Sequence, residues 1–298
     1  MSAIRPLDQS YKLTYASPHD PLLKRLLIMG LEYSSGRLKI ERLYRDIQAT
    51  ELTPREIWSY ALRLMDIGID CDPQKLASVP KEGPLLIIAN HPFGVVDGLI
   101  MGELMARVRD DFYVLVNEIL IRQDQRLAKH MLPIDFRETK EALQVNIQTR
   151  KTSLEHLKAG GSLAIFPGGG VATAPKVFGK AEEFEWKRFT AKLIQQTKAN
   201  VLPLYFHGQN SPLFHLASQL SQTLRYAMLL HEVRNKMGQA VKVEIGECIP
   251  YEAISQIKNR QDLLDHLYEQ TFALAGSSTY QESNRFPAGL KARWAVRR

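Results

Sequence analysis

Cysteine is almost missing from this chain: two in 298 residues, Cys71 and Cys248, far apart. They form no Cys-x-x-Cys metal or redox pair, and so few suit a reducing compartment, where both are expected as buried spectators. No run reaches the roughly 18 apolar residues that a membrane-spanning helix needs. No charged-then-apolar leader pattern opens the chain, so the expectation is a cytoplasmic protein. No Gly-x-Ser-x-Gly elbow occurs, which argues against a serine nucleophile. No Gly-Lys-Ser/Thr follows the glycine run at 168–170, and its spacing is not that of a dinucleotide fingerprint. His207 and His215 have no cysteine or second carboxylate at a supporting spacing, so no metal is expected. Aromatic residues do not interleave with a basic strand face, and a nucleic-acid partner would rest on net charge alone. Tandem repeats and low-complexity segments are absent as well.

What is present is ordinary in amount: 45% apolar residues and 24% charged, as in soluble globular proteins. The length suits one large α/β domain with helical additions, or two domains. A net charge of +7 and a pI near 9.3 favour an anionic partner such as a membrane surface or an acidic substrate carrier.

The stretch that organises the chain is 84–100. Leu85 to Ala89 is a short apolar run of the kind that makes a strand buried on both faces. Asn90, Pro92 and Gly94 break it. From Asp97 the pattern turns helical, with Leu99, Ile100, Leu104 and Met105 at helix spacing and Asp97 placed to cap. His91 therefore sits where a buried strand ends, and Asp97 at the mouth of the next helix. An imidazole and a carboxylate six positions apart across such a turn can fold back into contact. In open α/β sheets the crevice beyond the carboxyl ends of the strands is where ligands bind.

Ahead of this stretch, residues 1–20 read as an irregular lead-in. Helical patterns follow at 21–33, after Gly36, and from Thr53-Pro54-Arg55-Glu56, which is a capping box. Residues 1–75 thus read as an α-helical preface. Its basic amphipathic helices either lie on an anionic membrane or form a packed layer with charges facing water, the commoner arrangement. From residue 81 strands are expected at 84–89, 112–116, 132–136, 162–166, 200–206 and 241–247. Helices are expected at 97–109, 118–130, 138–159, 181–198, about 212–237 and 260–274. This alternation predicts a mixed, largely parallel sheet covered by helices on both faces, spanning 76–275. Residues 276–298 form a basic tail.

Two further strands run into turn-prone loops. Phe166-Pro167-Gly168-Gly169-Gly170 offers backbone N–H groups for close approach to an anion or oxyanion, although alone such a run is more often a plain turn. Val201 to Phe206 runs into His207-Gly-Gln-Asn210, where His207 reads as a supporting histidine. Three loops of this kind on one sheet edge are how an active site is built in this class.

These residues resemble the glycerolipid and lysophospholipid acyltransferase superfamily, whose signature is a histidine and an aspartate separated by a short loop. The match is Asn90-His91-Pro92-Phe93-Gly94-Val95-Val96-Asp97-Gly98, with five residues between His91 and Asp97 where the commonest form has four. That longer loop resembles the bacterial hemolysin-like branch, which includes acyltransferases making ornithine or glycine lipids. A second block is matched at Leu132 to Arg137, a third at Phe166 to Gly170, and a fourth at Val201-Leu-Pro203-Leu-Tyr-Phe. Gly168 stands where glycerol-phosphate acyltransferases keep a glutamate, and the arginine for an acceptor phosphate is absent.

The resemblance implies an O-acyltransferase with His91 and Asp97 catalytic. Asn90, Phe93, Gly94, Arg137, Phe166, Pro167, Gly168, Gly169, Gly170, Pro203 and His207 would lie about the substrates. His91, oriented by Asp97, would deprotonate an acceptor hydroxyl that attacks a thioester. Gly94 or the 168–170 loop would hold the oxyanion. No bound cofactor is implied; acyl carrier protein or coenzyme A carries the acyl group, and the acceptor is a lyso-lipid, a lyso-aminolipid fitting the altered third block. The enzyme would sit peripherally on the cytoplasmic face of an anionic membrane. Two alternatives stay open: a catalytically silent lipid- or carrier-binding protein, and an acyl-thioester hydrolase.

Overall fold

Leu85–Ala89 forms strand β2, and all five of its residues are buried. That burial requires protein on both faces, and the computed structural model supplies it. It describes residues 21–22, 25–26, 28–30, 37–118 and 129–276. The other strands are β1 (Gly68–Asp70), β3 (Phe112–Asn117), β4 (Met131–Ile134), β5 (Ser162–Ile165), β6 (Asn200–Phe206) and β7 (Ala240–Ile245). They form one sheet in the order β1-β7-β6-β2-β5-β3-β4. β6, β2, β5, β3 and β4 run parallel. β7 is antiparallel to β6, and β1 runs parallel to β7. The sheet is mixed and mostly parallel, as expected.

The helices are α1 (Arg37–Ala49), α2 (Glu56–Leu64), α3 (Pro73–Ala77), α4 (Val95–Val108), α5 (Lys140–Lys158), α6 (Arg188–Thr197), α7 (Pro212–Leu220), α8 (Gln222–Lys236), α9 (Tyr251–Ile254) and α10 (Arg260–Ala273). Alternate strand residues feed two cores, as the two-residue side-chain period dictates. Leu85, Ile87 and Ala89 join Trp58 of α2, Ile100 and Leu104 of α4 and Val233 of α8. Leu86 and Ile88 join Leu157 of α5, Leu193 and Ile194 of α6 and Leu264 and Leu267 of α10. Each of the valine, leucine and isoleucine side chains fully buried here contributes roughly 1.5–3 kcal/mol. α4 comes so close to α2 that a methyl group at Gly102 would lie 2.1 Å from the Trp58 ring.

Four expectations are corrected. Gly68–Asp70, read as part of the helical preface, is an edge strand; three residues with a single apolar side chain carry no period to detect. The helix expected over 181–198 begins at Arg188. Its glutamate-rich start is instead held extended, with Glu182 bridged to Thr173 and Lys187 N–H on the Pro167 carbonyl at 2.9 Å. The helix over 212–237 breaks at Ser221, whose extended backbone ends α7 and whose hydroxyl caps α8. Asp97 is not the first residue of its helix: Gly94, at φ +81°, takes the cap and lets α4 start at Val95. The Thr53–Glu56 capping box does form, the Glu56 carboxylate accepting from Thr53 N–H at 2.9 Å. The lead-in at 1–20, the basic tail beyond Gly276 and most of the helix expected over 118–130 lie outside the described residues.

Candidate active site

The five parallel strands end on one edge of the sheet, so the loops after β2, β5 and β6, which are neighbours, open side by side. His91 leaves β2 and turns back. Its Nδ1 lies 3.0 Å from Asp97 Oδ2. The same oxygen accepts the N–H groups of Phe93 at 2.7 Å and Gly94 at 2.9 Å. Asp97 is fully buried in the first turn of α4, where the helix dipole favours a negative charge. A carboxylate already accepting two backbone donors is matched by a third from His91, which assigns the proton to Nδ1 and the lone pair to Nε2. The Phe166 ring stacks on the imidazole, centroids 3.9 Å apart and 17° from parallel. The ring remains 15% exposed.

The His91 backbone is held from the other side. Its carbonyl accepts Ala172 N–H at 2.7 Å, and its N–H donates to Glu183 Oε1 at 2.6 Å. Glu183 was invisible in the sequence reading, because it lies in the stretch misread as helix, 92 positions from its partner. Burial pushes its carboxyl up to about 8, with the nearby Asp97 adding to the rise and the His91 N–H and Arg225 opposing it. Among the described residues Glu183 Oε2 has no hydrogen-bond partner, and it faces the Phe166–Gly170 loop: a methyl group at Gly168 would lie 2.9 Å from it. Arg225 of α8 is also buried; it donates to the Val171 carbonyl and its guanidinium lies 4.9 Å from the Phe184 ring centroid.

The remaining expected residues divide by their geometry. Phe166 forms the face against His91, and Gly168 to Gly170 lie beside it. Gly169 N–H closes the turn onto the Phe166 carbonyl. Among the described residues no acceptor meets the N–H of Gly168 or Gly170. The Gly94 N–H, by contrast, is taken by Asp97 and is not available as an oxyanion donor. The Asn90 side chain exchanges two hydrogen bonds with the Phe206 backbone, tying β2 to β6. The Phe93 ring is core, packed on Gly208 and beneath Lys236. Pro167 is buried, its carbonyl held by Lys187. Pro203 lies inside β6, about 10 Å short of its carboxyl end at 3.3 Å per residue. There it occupies the gap in β7 pairing, where its missing N–H does no harm. His207 turns toward β7, with Nε2 3.6 Å from Glu244 Oε1, and burial lowers its pKa. Arg137 follows edge strand β4, three strand spacings or roughly 14 Å from β2; it pairs with Asp135 and Glu118 and is half exposed. Among the described residues no three His, Cys, Asp or Glu side chains converge as metal ligands.

A buried carboxylate thus orients a histidine at the carboxyl edge of the sheet, an arrangement chemically capable of proton transfer. The family model described as acyltransferase matches residues 32–278. The chain belongs to the acyltransferase family. Two relatives are each named lyso-glycine lipid O-acyltransferase. The one from Phocaeicola vulgatus is 26% identical over 194 residues, covering 61% of this chain and 65% of the relative. The one from Bacteroides thetaiotaomicron is 26% identical over 207 residues, covering 67% and 73%. The chain thus spans under two thirds of the first relative's length. A solved structure, the 1-acyl-sn-glycerophosphate acyltransferase PlsC of Thermotoga maritima, aligns with TM-score 0.46 and 13% identity over 92% of this chain and 99% of that one.

Proposed function

We propose that this acyltransferase moves a fatty acyl group from a thioester, carried by acyl carrier protein or coenzyme A, to the hydroxyl of a lyso-lipid. The observation that carries this reading is the His91–Asp97 pair, with no partner for His91 Nε2 among the described residues. Nε2 takes the acceptor's proton as the hydroxyl oxygen attacks the thioester carbonyl. Collapse of the tetrahedral intermediate breaks the carbon–sulfur bond, and the imidazolium returns the proton to the departing thiolate. The Asp97 carboxylate stabilises the imidazolium in between. The uncommitted N–H groups of Gly168 and Gly170 are the donors for the oxyanion. Glu183 acts on His91 only through its backbone and is a positioning residue.

For the acceptor, a lyso-aminolipid is the favoured class. The space beside Gly168 is filled by Glu183 and Phe184, leaving no room for a side chain that would grip a phosphate there. The names of the two relatives support the same class. The basic net charge suits an anionic membrane on the cytoplasmic side and an acidic carrier protein. Among the described residues no helix is long and apolar enough to cross a membrane.

Thiol release measured across a panel of lyso-lipids, with acyl carrier protein and coenzyme A donors, tests the reading. Release that depends on a lyso-aminolipid and is weak with lysophosphatidic acid is expected. Equal release without any acceptor would make the protein a hydrolase, and none with any pair would leave the silent binding reading.

A further inference from the structure

α7 carries no lysine, arginine, aspartate or glutamate, and its one histidine, His215, is buried; from His207 to Leu224 the chain has none of the four charged types. Its inner face, Phe214, Ala217 and Ser218, is buried. Its outer face, Leu213, Leu216 and Leu220, is 50%, 39% and 68% exposed. A helix on a water-facing surface ordinarily turns charges outward, and one apolar all round has something packed on both sides. Leucines at i, i+3 and i+7 form one stripe.

Beside α7 stands a loop closed by the Thr173–Glu182 bridge. Ala174 fastens it to the helix, its N–H on His215 Nδ1 at 3.2 Å and its carbonyl accepting Gln219 Nε2 at 3.2 Å. Gln209 braces its far side through Ala181 N–H and the Gly179 carbonyl. Its tip is Lys176-Val177-Phe178-Gly179-Lys180, with no acidic residue between Ala174 and Ala181. Phe178 is 90% exposed, and both lysines are exposed. The two ends of this loop are the residues that hold the His91 backbone: Ala172 on one side, Glu183 on the other.

We propose that the leucine stripe of α7 and the Phe178 tip form the surface that enters an anionic bilayer, bringing the mouth of the His91 site against the lipid. The occupant is a bilayer rather than a protein because an aromatic tip between two lysines matches both layers of a membrane surface. The ring and leucines go into the acyl boundary, and the ammonium groups meet lipid phosphates. The inference rests on the reading of the substrate as a lipid and goes beyond it in naming the surface.

The test is flotation of the full chain with vesicles of phosphatidylcholine containing 30% phosphatidylglycerol, a composition of about one anionic lipid in three. Three proteins are compared with wild type: Phe178→Asp with Lys176→Glu and Lys180→Glu, Leu216→Ser with Leu220→Ser, and His91→Ala. Wild type and His91→Ala are expected to bind alike. The charge-reversed loop is expected to bind at least about tenfold more weakly, since each lysine lost weakens binding severalfold at an anionic surface. The leucine variant should also bind more weakly, with transfer to detergent-dispersed acceptor unchanged in both. Undiminished vesicle binding in both surface variants overturns the proposal. So does a wild-type dimer that the leucine variant converts to monomer while vesicle binding persists. Because binding is read apart from turnover, loss of the catalytic reading through His91→Ala leaves this result standing by itself.

Discussion

The loops after β2 and β5 differ in how much of their shape is closed by their own residues. The β2 loop closes on itself: His91, Phe93 and Gly94 all donate to one oxygen of Asp97, within six positions of chain. The β5 loop, beyond its own Gly169–Phe166 turn, is held by more distant partners: Lys187 on the Pro167 carbonyl and Arg225 on the Val171 carbonyl. A locally closed loop carries its geometry in its own residues. A remotely closed one depends on how distant segments pack, and its shape is shared with them.

This difference can be broken from either side. The largest effect is expected at His91→Ala, which removes the base and should abolish acyl transfer in a folded protein; near-normal transfer would sink the mechanism. Asp97→Asn should leave the fold and lower kcat by several orders of magnitude, roughly 10⁴-fold, because an amide disfavours the tautomer with a proton on Nδ1. A steady-state assay beside a melting curve separates the two effects.

The β5 side predicts smaller effects, spread across the site. Gly168→Ala should cost roughly 1–3 kcal/mol by overpacking against Glu183 and Phe184, and the displaced Glu183 should lower transfer as well. Denaturant unfolding with activity on the same samples checks this. Glu183→Gln keeps an acceptor for the His91 N–H but loses the titration. Because the Glu183 pKa is raised in the folded state from 4.5 to about 8, the folded protein holds a proton there that the unfolded chain releases. Glu183 therefore lowers stability progressively as pH rises from about 4.5 to 8. The Gln variant should show a flatter decline over that window, and parallel stability curves would contradict this placement.

The same contrast explains what the sequence disclosed. The strand at 85–89, its broken end and the His91–Asp97 approach were legible because apolar runs, turn residues and a six-residue return are all local. The sheet followed from alternating strand and helix patterns. Residues 181–187 misled, since Glu-Glu-Phe-Glu-Trp-Lys has helix-forming residues while tertiary contacts with Pro167, Thr173 and His91 hold it extended. Glu183 was hidden inside that misreading. Asn90, Phe93 and Pro203 lie within the strands or just past their ends, and their side chains make structural contacts: Asn90 with the Phe206 backbone, Phe93 in the core, Pro203 inside β6. No spacing rule could have separated those roles.

Everything proposed for His91 depends on which ring nitrogen carries its proton. Nitrogen NMR of histidine-labelled protein at neutral pH, with His91→Ala to assign the signal, reads this directly. A proton on Nδ1 with Nε2 bare, lost or scrambled in Asp97→Asn, is the predicted result. A proton on Nε2, or a signal indifferent to Asp97, would leave the site without its base.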